Sequence, residues 1–171
     1  RLAERISAGG VDLVVTSGGV SAGAFEVVKD ALASRGVDFV KVAMQPGMPQ
    51  GCGTVDLGGV QVPFVTFPGN PVSALVSFEV FLRPALRAAM DLPDRPRRVA
   101  RLAEPVDSIP AKRQYLRGLL TRNADGTDSV SVLGGPGSHY LQWLSQANCL
   151  LDVPAEVEHL AAGTPVELIL L

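Results

Sequence analysis

Apolar positions along this chain change period at least three times, and each change predicts an element. Leu13, Val14 and Val15, between Asp12 and Thr16, form a short apolar run of the kind a strand buried on both faces shows. Three glycines and two hydroxyls follow at 17–23, a turn. Phe25, Val28, Leu32 and Ala33 then recur at helical spacing, and Gly36 stands where a helix-ending glycine belongs. Val37, Phe39, Val40 and Val42 predict a second strand, completing a strand–loop–helix–strand unit with a right-handed crossover. Residues 44–51 are too rich in Pro and Gly for regular structure. Residues 54–57 and 60–63 flank Gly58-Gly59 as a hairpin, and 64–67 make another apolar strand. Asn70 is placed as an N-cap with Pro71 first in the helix. That helix runs through Leu75, Val76, Phe78, Phe81 and Leu82 to about Met90, with Pro84 set to bend it.

Prolines and charges at 92–98 mark a domain boundary, dividing the chain into 1–92 and 97–171. Beyond it the period shortens. Strands are predicted at 99–102, 114–120, 129–133, 149–153 and 166–171, with a short helix after Ser138. Five short strands in so few residues predict a small β-barrel or sandwich. The fold class is therefore α/β, a partial parallel sheet of Rossmann-like type, followed by a small all-β, barrel-like domain.

Composition narrows the function classes. Of 171 residues, 47% are hydrophobic and 19% charged, enough for a packed core. A net charge of −2, with only Lys29, Lys41 and Lys112 as lysines, offers no footprint for nucleic acid or an anionic membrane. Arg95, Arg97, Arg98 and Arg101 cluster between prolines and read as a solvated linker. Cys52 and Cys149 have no metal or disulfide spacing, and His139 and His159 no zinc spacing. No apolar run approaches 18 residues, so a cytoplasmic protein is expected. The chain starts on Arg1, on what looks like the last turns of a helix, so a fragment with an earlier strand is expected.

Candidate chemistry gathers where strand ends lead into helices, because open parallel sheets bind ligands outside the carboxyl ends of their strands. Backbone N–H groups of Gly18, Gly19 and Gly23, with Ser17 and Ser21, would suit phosphate or another oxyanion. The same residues also serve simply as a glycine turn. Pro68, Gly69, Asn70, Pro71 and Ser73 repeat the strand–loop–helix arrangement. Glu26, Lys29, Asp30 and Lys41 are the ionisable groups nearest these loops; Glu26 also fits a solvated first-turn acid paired with Lys29.

TSGGVSAGAFEVVK, then KVAMQPGMP, then FPGNPVSA, in this order, resemble the molybdopterin molybdenumtransferase family of MoeA and the gephyrin E domain. The tail, with KRQYLRG, GPGSHYLQWLSQAN and LAAGTPVELILL, is similar to that family's C-terminal β-domain. The resemblance implies an enzyme that inserts molybdate into adenylylated molybdopterin with Mg²⁺, forming molybdenum cofactor and AMP, and that works as a homodimer when full length. It places pterin or phosphate at residues 17–23, molybdate beside residues 68–73, and Arg113 or Arg117 in the same cleft. Glu26, where the family commonly has Asp, becomes the candidate catalytic acid and Mg²⁺ ligand. Gln45 and Met48 stand where many members carry the lysines of KPGKP. A non-catalytic pterin- or anion-binding module, or a scaffold, is the alternative reading.

Overall fold

The computed structural model describes residues 2–20, 27–135 and 141–171, and divides into two compact units: Arg1–Val42 with Gly47–Phe78, and Ala43–Pro46 with Glu79–Leu171. The division falls at Phe78/Glu79, ahead of the proline-rich stretch at 92–98.

The first unit contains α1 (Leu2–Ser7), β1 (Val14–Ser17), α2 (Val27–Leu32) and β2 (Val37–Lys41). After the excursion into the second unit come β4 (Pro49–Asp56), β5 (Gln61–Phe67) and α3 (Pro71–Ser77). Its sheet has the order β1-β5-β4-β2, with β1 and β5 parallel and the other pairs antiparallel. Ile6, Val37, Val55, Val62 and Phe64 form its core. The hairpin between β4 and β5 closes as expected on Gly58 (φ 73°) and Gly59 (φ 89°), where positive φ at both turn centres matches the twist of the strands. Leu57 and Val60 share the turn hydrogen bond at 3.0 Å.

Two local expectations change. β2 runs in the same direction as β1 but is not its neighbour, because β5 and β4 lie between them; β1 is an edge strand among the described residues. Strand β4 begins at Pro49, inside the stretch predicted to be irregular. Its glycines are there for close approach: a side chain at Gly53 would run into the Gly36 carbonyl, and one at Gly51 into Thr66 and the Phe39 ring.

The second unit holds β3 (Met44–Gln45), α4 (Arg83–Ala89), β6 (Arg98–Leu102), β7 (Val106–Asp107), β8 (Arg113–Arg122), β9 (Asp128–Val132), α5 (Leu141–Gln146), β10 (Cys149–Val153), β11 (His159–Leu160) and β12 (Pro165–Leu170). The order β10-β12-β6-β9-β8, closed by β8 pairing back to β10, makes a five-stranded barrel. Leu102, Leu116, Val130, Leu151, Val153 and Leu168 are among the side chains that fill it. Before α4 the helix widens into a π turn at Phe78–Leu82; Pro84, without an N–H, cannot bond one turn back and the local winding adapts. The linker arginines are not simply solvated. Arg97 bonds Asp152, and Arg98 shares Asp128 with Arg122, so the segment leading into the barrel is tied to its wall. No helix among the described residues is long and apolar enough to cross a membrane.

Candidate functional site

In the first unit the two glycine-containing loops touch. Parallel pairing sets Ser17 opposite Phe67, so β1 and β5 end side by side. Gly18 N–H donates to the Phe67 carbonyl at 2.9 Å, and Ser17 Oγ donates to the Pro68 carbonyl at 3.2 Å. Gly18 and Gly19 have φ of 95° and 70°, which favour glycine. A Cβ on Gly69 would lie 3.2 Å from Gly18 Cα, so the two backbones pass at a separation that only glycine permits without displacement.

Asn70 caps α3 as its sequence context predicts, its side-chain oxygen accepting from Val72 N–H at 3.0 Å and Ser73 N–H at 3.2 Å, with Pro71 at the helix start. Ser73 is buried. Sequence reading missed Gln50, a buried amide that donates to the Gly47 carbonyl and to Ser77 Oγ, each at 2.6 Å. Ser77 Oγ in turn donates to the Ser73 carbonyl at 2.8 Å. The loop entering β4 is thereby fastened to the helix that follows the PGNP turn. Nothing in the local sequence marks Gln50 beyond a polar residue in a Pro/Gly-rich run.

Of the expected cations, Lys29 donates its backbone N–H to the Gly19 carbonyl at 3.1 Å and is exposed. Lys41 ends β2 at the same end of the sheet as the loops, but on the far edge. Three strand spacings, roughly 14 Å, separate it from β1. Ser21, Gly23 and Glu26 lie outside the described residues, as does His139. Among the described residues no group of three or more His, Cys, Asp or Glu side chains could hold a metal ion.

The second unit separates the two candidate arginines. Arg117 is buried and donates to the Gly135 carbonyl at 2.6 Å and, less closely, to that of Leu133 at 3.4 Å. Burial lowers its pKa. Arg113 is half exposed and meets Asp152 in a two-pronged pair, Nε to Oδ1 at 2.6 Å and Nη2 to Oδ2 at 3.0 Å. That hydrogen-bonded partner, ahead of the opposing effect of burial, raises its pKa further. Strand β3 pairs parallel to β8, setting Met44 opposite Arg113 and Gln45 opposite Gln114, and Arg113 N–H donates to the Ala43 carbonyl at 3.0 Å. The first half of the MQPGMP stretch is thus held beside Arg113. Asp152 was not foreseen, although a lone carboxylate inside the apolar run of β10 is a signal for a buried pair.

The chain thus joins an α/β unit, with paired glycine loops at adjacent strand ends, to a five-stranded barrel. Residues 1–88 match the family described as a probable molybdopterin binding domain, and 99–171 match the MoeA C-terminal region, domain IV. The chain belongs to the molybdopterin molybdenumtransferase family of MoeA and gephyrin. It is 57% identical over 91% of its length to molybdopterin molybdenumtransferase 2 of Mycobacterium tuberculosis (strain H37Rv), and 43% identical over 91% to molybdopterin molybdenumtransferase 1 of that organism. It spans 39% and 38% of those two relatives. The crystal structure of the molybdopterin biosynthesis MoeA protein from Pyrococcus horikoshii matches 99% of this chain, and 39% of its own length, with a TM-score of 0.72 at 27% identity.

Proposed function

We propose that the protein containing this chain inserts molybdate into adenylylated molybdopterin, releasing AMP and forming molybdenum cofactor, and that it does so as a homodimer. The single observation that carries this is the contact between the two glycine loops, Ser17 to Pro68 and Gly18 to Phe67, at the ends of parallel strands. Such a pair brings two backbones together without intervening side chains; because Gly18 N–H and Ser17 Oγ are committed to that contact, and not to a ligand as the sequence suggested, other groups of these loops would meet the phosphate and pterin oxygens. In this proposal residues 17–23 hold the phosphate or pterin, 68–73 border the oxyanion, and Lys29 and Lys41 add positive charge. Arg113 is assigned to oxyanion contact, while Arg117 supports the barrel. Glu26 orients the attacking or departing oxygen. The described residues bring together no set of carboxylates for Mg²⁺.

The experiment is molybdate-dependent cofactor formation by the full-length protein, wild type against Glu26→Gln and Gly69→Val, with melting temperatures alongside. Loss of turnover with the fold retained is expected for both. Wild-type turnover in both variants would overturn the proposal, and substrate binding without turnover in the wild type would favour the non-catalytic alternative.

A further inference from the structure

Asp152 organises two arginines, not one. Its side chain is 1% exposed, yet Arg113 and Arg97, 49% and 48% exposed, both end on it. Arg97 Nη1 lies 2.7 Å from Oδ2, the same oxygen that Arg113 Nη2 reaches at 3.0 Å, so the two guanidinium groups converge on one atom. They come from different parts of the unit, Arg97 from the linker just before β6 and Arg113 from the start of β8.

A guanidinium carries five N–H donors in a rigid plane. Asp152 takes three of those the two groups offer. The remaining donors belong to half-exposed groups fixed at their inner ends, the arrangement that suits a tetrahedral oxyanion. Removing Asp152 would leave two long side chains free to rotate; its burial inside the barrel wall is what fixes them.

Net charge is not what this cluster offers. In register across β10, Asp152 faces Tyr115 on β8 and Glu167 on β12, and Glu167 is exposed and acts electrostatically on Arg113. Two cations and two carboxylates nearly balance, so an anion would be held by directed donors and would gain if Glu167 lost its charge.

We propose that Arg97 and Arg113 form a paired guanidinium clamp for the oxyanion substrate, with Arg97 a further binding residue and Asp152 the positioning residue that presents both. This rests on the assignment of Arg113 to oxyanion contact made above.

Its test is steady-state kinetics of the full-length protein with molybdate as the varied substrate, on Arg113→Gln, Arg97→Gln, Asp152→Asn, Asp152→Glu and Glu167→Gln. Arg113→Gln and Asp152→Asn should each raise KM for molybdate roughly tenfold or more, and Arg97→Gln several-fold, with kcat changed far less. Asp152→Glu should recover part of the loss, and Glu167→Gln should lower KM, an effect a purely structural role would not produce. An unchanged KM in Arg113→Gln would refute the assignment of Arg113 itself. A raised KM in Arg113→Gln, with wild-type KM in Arg97→Gln and no decrease in Glu167→Gln, would refute the clamp alone. If Asp152→Asn fails to fold, the two surface variants, Arg97→Gln and Glu167→Gln, decide the matter.

Discussion

Arg117 reaches the Gly135 carbonyl at 2.6 Å, while Arg113, four residues earlier on the same strand, is committed to Asp152. Both have the same parity on β8, so alternation alone gives them the same face. Their difference is position along the strand. Arg117 lies in the middle, where the chain leaving β9 folds over it and Leu133 N–H donates to its carbonyl at 2.8 Å; Arg113 lies at the strand's start. Replacing Arg117 with Met should therefore destabilise the barrel by about 1.5–3 kcal/mol, the loss expected for hydrogen bonds from a buried charged donor. Arg113→Gln should lose less stability, because Arg97 still pairs with the buried Asp152 carboxylate and the Gln amide can donate to it. Urea unfolding of the two variants checks the ordering, and equal losses would contradict it.

The contact between Gly69 and Gly18 makes a narrower prediction. Gly69→Ala puts a methyl 3.2 Å from backbone, which neither loop can relieve by a side-chain rotation. A displacement of a few tenths of an ångström is expected, with a stability cost of about 1 kcal/mol and a larger proportional loss in substrate affinity. Comparing thermal unfolding with pterin binding on the same variant measures both. A stability loss without any loss of affinity would remove the loop pair from the binding surface.

Thiol chemistry distinguishes the two cysteines. Cys52 is exposed on β4, whereas Cys149 is fully buried in the barrel and burial pushes its pKa up to about 11. Only thiolate reacts readily. At pH 8 a small disulfide reagent should modify Cys52 in the native protein and reach Cys149 only on unfolding. Rapid modification of Cys149 under native conditions would show that the barrel opens locally.

Much of this was legible in the sequence because it rests on short-range rules. Asn70 and Pro71 specify a helix start, Gly58-Gly59 a tight turn, and residues 149–153 a strand whose bounds agree with β10. What escaped depends on partners distant in the chain. Gly51 and Gly53 look like strand breakers until Thr66, Phe39 and the Gly36 carbonyl are placed against them. The ladder between β7 and β11 is two residues long, below the length at which alternation carries information. Asp152 acquires meaning only when Arg97 and Arg113, 55 and 39 residues away in sequence, arrive at it.

Glu79 supplies a prediction in pH. Its side chain is 1% exposed, with Oε1 paired to Arg83 at 2.7 Å and Oε2 without a hydrogen-bond partner among the described residues. Burial raises its pKa above the ordinary 4.5, and the opposing fields of Arg83 and then Arg95 do not cancel that effect. For an acid whose folded-state pKa is raised, the folded protein holds the proton more tightly than the unfolded chain. The stability this contributes is complete below the unfolded value and is lost as pH rises through the folded one. Glu79→Gln keeps the shape and removes the titration. Between pH 4 and 7, the stability of the wild type relative to this variant should therefore fall as pH rises, other carboxylates cancelling in the difference. Chemical unfolding of both proteins across that range provides the measurement. A difference that instead grows in favour of the wild type would mean that the Arg83 ion pair outweighs burial, and that Glu79 is a stabilising charge in the native protein.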